Sequence, residues 1–114
     1  MPVMRTVTGL RAWLVQRFSA VFMLIISVLL VMVFLSQESL TYEQWVGFMR
    51  HPVSEMAGVL FFFAMLIHAW VGMRDIIMDY VHGLSVRVIL LVTIALTLIA
   101  MGLWTVHVLL LPLA

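Results

Sequence analysis

The stretch MAGVLFFFAMLIHAWVGM, Met56 to Met73, holds eighteen residues without one Asp, Glu, Lys or Arg, and a single imidazole, His68, towards its end. As a helix it is about 27 Å long, close to the thickness of bilayer hydrocarbon. Polar groups are costly in that medium, so an imidazole there faces a partner, a cofactor or a water-filled path. Gly72, Asp75 and Asp79 follow four, seven and eleven residues later, on the same helical face. That face leads out of the apolar stretch into a polar one that closes in Asp-Tyr-Val-His-Gly, Asp79 to Gly83.

Two further apolar runs flank this one, Phe18 to Leu35 and Val88 to the C-terminus, and the first is again eighteen residues without a charge. The third is longer, which leaves room for tilt or for extension into the far interface. Across 114 residues, 66% are hydrophobic and 10% charged, far from the balance of a soluble domain. The fold expected is all-α, a single membrane domain over residues 1–114 with three spans at about 18–35, 56–73 and 88–112. Little chain is left for a soluble domain. The formal charge of +1 gives no reason to expect nucleic acid, and the absence of cysteine excludes disulfides, thiolate haem ligation and iron–sulfur ligation by this chain.

The seventeen residues before the first run contain Arg5, Arg11 and Arg17. The run that follows is too long for a signal-peptide core, so the first span is expected to be retained. All six basic residues are arginine: three in the N-terminal segment, Arg50 in the first loop, and Arg74 and Arg87 around the second. An N-in, C-out arrangement puts five of the six on the cytoplasmic side. The first loop is acidic, with Glu38, Glu43 and Glu55. Within it, Leu40 to Met49 reads as a short interfacial helix, capped by Thr41 with Gln44 three residues on. Tyr42 and Trp45 supply rings suited to a membrane surface, and the segment is expected to anchor.

On this topology His68 lies roughly 9 Å inside the cytoplasmic edge, while His107 lies roughly 30 Å along the third span, near the opposite face. The two cannot share a metal. His68 has two readings: a hydrogen bond to a carbonyl or hydroxyl of a neighbouring helix, or an axial ligand of a b-type haem, held without covalent attachment. Gly72 permits either a flat macrocycle or a close helix contact. Arg17 is a snorkelling anchor or a partner for haem carboxylates. Ser19 bonds its own backbone or a ligand at the same depth. Ser27, Thr93 and Thr97 read as helix-packing hydroxyls. Asp79 and Tyr80 form an interfacial turn, or a phenol that donates to a quinone carbonyl beside a carboxylate that sets the local charge.

The run His-x3-Gly-x6-Asp-Tyr-Val-His-Gly (His68, Gly72, Asp79 to Gly83) resembles the membrane anchor of succinate dehydrogenase, its D-type subunit in particular. Leu-Thr-Tyr-Glu-x-Trp-x-Gly-Phe (Leu40 to Phe48) and the final span resemble bacterial members, so the likeness covers most of the chain. It implies that His68 ligates the iron of haem b, with the other axial ligand from a C-type sister anchor. It implies Arg17 near the haem propionates, Tyr80 against ubiquinone and Asp79 beside it. Partners implied are the sister anchor, an iron–sulfur subunit and a flavoprotein that oxidises succinate, in a bacterial inner membrane. This chain would belong to the enzyme without touching succinate. Gln16 to Ala20 and Gly72 to Arg74 also resemble the C-type anchor, but Asp75 stands where that anchor has a histidine. In a C-type assignment His68 keeps its role, and Tyr80 and Ser19 exchange theirs.

Readings of other kinds are a haem-free anchor of fumarate reductase type, a purely structural assembly subunit, and a small transporter or channel subunit. Transporters place ionisable groups and broken helices at mid-membrane. Here no Asp, Glu, Lys or Arg lies inside a span and no proline precedes Pro112 in the third, which argues against transport.

Overall fold

The computed structural model describes residues 2–111, with side chains from residue 9 onward. Four helices follow in order: α1 (Pro2–Leu35), α2 (Tyr42–Arg50), α3 (Pro52–Tyr80) and α4 (Leu84–Leu110). Three are long and apolar enough to cross a membrane, over Gly9–Leu35, Pro52–Tyr80 and Leu84–Leu110. The all-α, three-span reading holds; its end at Pro112 lies outside the described residues.

α1 and α4 begin ahead of the apolar runs that mark them, and α3 extends beyond its run at both ends. Hydropathy locates the part of a helix that meets hydrocarbon, whereas the helix itself stops only where the backbone stops. Nothing between Arg74 and Tyr80 breaks a helix, so α3 continues until Val81 turns extended at φ −98°, ψ 118°. Its amide still donates to Ile77 O at 3.0 Å. Asp79 and Tyr80 therefore form the last residues of α3, and the turn proper is Val81–His82–Gly83.

The first loop folds as its spacing predicts. Thr41 Oγ1 accepts from the Gln44 amide, and Gln44 Oε1 accepts from the Thr41 amide, both at 3.2 Å. Trp45 of α2 stacks on Phe34 of α1 with ring centroids 5.3 Å apart, tying the short helix to the end of the first span. His51 then joins α2 to α3. Its amide donates back to Phe48 O, while its Nδ1 accepts from the Val53 amide at 3.2 Å, with Pro52 in the first helical position.

α3 is the middle member of the bundle and packs against both α1 and α4. Two pairs of contacts set its register with α1: Ser19 with His68, and Gln16 with Gly72. Two more set it with α4: Gly58 with Leu109, and Gly102 with Leu66, where an added Cβ would stand 3.1 Å from Leu66 Cδ1. In both pairs the numbers run in opposite senses, so neighbouring helices are antiparallel. Small residues at the crossings let backbones approach where no hydrophobic drive between helices is available. Thr93, Thr97 and Thr105 each donate to the carbonyl four residues back at 2.8 Å, which satisfies hydroxyls within the apolar helix.

The interior is thin. Among the described side chains, only Ser19, Val71 and Ile77 are buried, each still 7–8% exposed. Large apolar side chains such as Phe18, Leu24 and Leu96 face outward. A water-soluble domain could not tolerate that surface, whereas lipid or further apolar helices can cover it.

Candidate functional site

His68 projects from α3 at the level where α1 crosses closest. Ser19 Oγ lies 3.0 Å from His68 Nδ1, and the same hydroxyl donates to Gln16 O at 3.1 Å. A hydroxyl has one hydrogen to give. With that hydrogen on the Gln16 carbonyl, Nδ1–H of His68 donates to Ser19, and Nε2 keeps the free lone pair. The hydrogen-bonded reading of the sequence is present, with a hydroxyl of the neighbouring helix as the partner, and in this tautomer Nε2 carries the lone pair that a metal would need.

His68 is half-buried and lines an open groove of about 600 Å³ between α1 and α3. Gly9, Ala12 and Ala20 keep part of its wall low, and Arg17, Arg74 and Asp75 stand along it, with Arg74 Nη2 3.5 Å from Asp75 Oδ1. The Arg17 guanidinium lies 5.5 Å from the centre of the Trp13 ring, a cation–π contact that holds it on the groove side. Among the described residues, no three His, Cys, Asp or Glu side chains gather as a metal cage. One imidazole beside a broad groove, with the Arg17 guanidinium on its wall and Arg74 already paired to Asp75, suits a planar ligand that brings most of its own metal donors and carries carboxylates for Arg17 to meet. A b-type haem would fit that donor set, with His68 to hold the iron and Arg17 near its carboxylates.

Gly72 resolves towards helix contact. A Cβ there would stand 3.0 Å from Gln16 Nε2, so the space over Gly72 is filled by α1 rather than open to a macrocycle. Gln16 Oε1 is buried without a hydrogen-bond partner, an unmet acceptor beside the groove.

Asp79 and Tyr80 lie elsewhere. They are eleven and twelve residues beyond His68, roughly 17 Å along α3. Asp79 shares the helical face of His68, and Tyr80 is turned about a third of a circle from it. Tyr80 is 77% exposed, so its ring is open to whatever adjoins the helix end. The chain thus presents two loci, a groove holding His68, Ser19 and Arg17 and a helix end holding Asp79 and Tyr80. His107 belongs to neither. The α3–α4 register sets it level with about Leu60, roughly 12 Å along the axis from His68, and it stacks on Trp104 with centroids 5.6 Å apart.

Sequence reasoning missed one residue at the second locus. Arg87 of α4 reaches back to the end of α3, its Nη2 and Nε donating to Val81 O at 2.7 and 3.1 Å and its Nη2 also to Met78 O at 3.3 Å. The sequence signal was its position in the first turn of a helix, where the dipole disfavours a cation. An arginine so placed has an acceptor somewhere else.

Residues 2–110 match the family described as succinate dehydrogenase/fumarate reductase transmembrane subunit. The chain is also 31% identical over 99 residues to the succinate dehydrogenase hydrophobic membrane anchor subunit of Coxiella burnetii, spanning 87% of this chain and 86% of that one.

Proposed function

The chain belongs to the succinate dehydrogenase/fumarate reductase transmembrane subunit family and is a multi-pass membrane anchor; from that premise, we propose that it is the D-type anchor of a bacterial succinate:ubiquinone oxidoreductase. In this reading His68 Nε2 is an axial ligand of haem b, shared with a C-type sister anchor. Ser19 orients the imidazole through Nδ1, and Arg17 pairs with the haem propionates. The bound haem supplies a one-electron redox centre. The observation that supports this most directly is the imidazole hydrogen-bonded to Ser19 at Nδ1 beside a groove that Arg17 also lines. A hydrogen bond at the far ring nitrogen of this kind fixes the tautomer and raises the basicity of a metal-ligating histidine.

At the other locus the Tyr80 phenol donates a hydrogen bond to a ubiquinone carbonyl, and Asp79 sets the local charge. A lipid-soluble quinone reaches this helix end from the bilayer, and a docked iron–sulfur subunit reaches it from the water. The flavoprotein oxidises succinate, and no residue of this chain takes part in that step. The membrane is the bacterial inner membrane. Arg11, Arg17, Arg74 and Arg87 all belong to the α1 start, the α3 end and the α4 start, which the antiparallel register brings to one end of the bundle. That end is cytoplasmic by the positive-inside rule.

The test is a reduced-minus-oxidised absorption spectrum of the complex solubilised and isolated through this chain, beside a His68→Leu version. The expected result is a b-type haem signal that the substitution abolishes or alters, with flavin and iron–sulfur subunits co-purifying. A fully assembled wild-type complex without haem would make His68 a packing residue and the chain a haem-free anchor.

A further inference from the structure

Arg87 occupies a position that its own helix disfavours. α4 opens at Gly83, which has no side chain to cap it, and the Arg87 amide closes the first turn on Gly83 O at 2.9 Å. A guanidinium so close to the positive end of α4 is repelled by that helix and attracted by the negative end of α3 beside it. The last carbonyls of a helix have no amide ahead of them and take outside donors. Arg87 supplies such donors: two N–H groups on Val81 O and one on Met78 O. These two carbonyls bracket Asp79 and Tyr80. The exposed Tyr80 ring is not fixed by packing within the chain, so the backbone is what fixes the point from which it projects and the directions its rotamers can reach.

We propose that Arg87 is a positioning residue for quinone reduction, clamping the α3 end from both sides of Asp79–Tyr80 so that the phenol and carboxylate are held ready for the quinone. The inference rests on the quinone reading of Tyr80. Arg87 acts through the backbone and touches no substrate. Its planar fork matters as well as its charge, because one guanidinium spans two carbonyls at fixed spacing while an ammonium is a single point of charge.

The experiment uses the assembled complex with Arg87→Gln, Arg87→Lys, Tyr80→Phe and the double substitution Tyr80→Phe with Arg87→Gln. Ubiquinone KM and kcat are measured together with haem content and amide hydrogen exchange over residues 78–86. Both Arg87 variants are expected to raise the quinone KM by roughly tenfold, the scale of losing a charge-assisted hydrogen bond. Haem content stays at the wild-type level and exchange over 78–86 becomes faster. The double variant is expected to be no worse than the more impaired single one, because both act at one contact. Wild-type exchange in Arg87→Gln would overturn the clamp. Wild-type KM in Arg87→Lys beside a raised KM in Arg87→Gln would reduce the residue to its charge and also overturn it. An inert Tyr80→Phe would instead sink the quinone reading, and with it the positioning role, while the exchange data still report whether the clamp exists.

Discussion

Ser19 and His68 show how much one hydroxyl can decide. Replacing Ser19 by alanine removes the acceptor from Nδ1–H and leaves a polar nitrogen inside the helix contact, where an unmet hydrogen bond costs about 1–3 kcal/mol. The imidazole is then free to turn, or to present its other tautomer to the groove. Loss of the hydrogen-bond partner of a metal-ligating imidazole typically weakens metal binding about 10- to 100-fold. Ser19→Ala is accordingly expected to lower haem occupancy in a haem titration followed by absorption, and Ser19→Thr, which keeps the oxygen, to restore it. Equal occupancy in all three proteins would remove Ser19 from the site. Tyr80→Phe is the complementary case. It deletes a hydroxyl from a ring that is mostly exposed, so assembly and haem content should stay intact while kcat/KM for ubiquinone falls roughly tenfold. An unchanged rate would leave Tyr80 as an aromatic-belt residue.

At the scale of elements, the helices divide between those that carry the loci and one that only fastens. α2 is held by its capping box and by the Phe34–Trp45 stack, and neither proposed locus includes any of its residues. Thr41→Ala with Gln44→Ala should cost about 1 kcal/mol of local stability, seen as faster amide exchange over residues 42–45. Succinate–quinone turnover should be unaltered, and a drop in turnover would give α2 a role beyond anchoring. Gly72 tests the α1–α3 crossing more severely. Its neighbour Gln16 is a flexible side chain whose oxygen has no partner, so Gly72→Ala lets it swing aside and gains helix propensity of about 0.8–1 kcal/mol. Gly72→Leu has no such outlet. It should push α1 away, part Ser19 from His68 and lower haem content, whereas the alanine variant keeps it. The existence of these elements was legible in the sequence because span length, capping spacing and arginine placement are local signals. Their ends were not, since a helix outlasts its apolar run and no charge between Arg74 and Tyr80 breaks it. The pairing of Ser19 with His68 depends on the α1–α3 register, which no local pattern encodes. Arg87 counted only as a topological charge for the same reason: its acceptors lie across a turn, on another helix.

For the whole molecule, the thin interior and the single histidine in the groove have one explanation between them. A three-helix layer with α3 in the middle buries little of itself, and most of its apolar surface is matched by lipid or by other helices. In the proposed haem reading His68 would supply one axial ligand, and the α3–α4 register keeps His107 about 12 Å away along the axis. A second axial ligand for a six-coordinate haem must then come from a neighbouring chain, and the same neighbour would cover part of the exposed layer. Haem binding and assembly with a sister anchor should therefore be one event. Produced alone in detergent, this chain is expected to hold haem weakly and at less than one per chain. Co-production with its sister anchor should give one haem per pair and raise the thermal midpoint, because a ligand that binds only the assembled state stabilises it by mass action. The haem-to-protein ratio and the melting curve of each preparation measure both effects together. Stoichiometric six-coordinate haem in the isolated chain would break that link, and would require the second ligand to come from another copy of this chain.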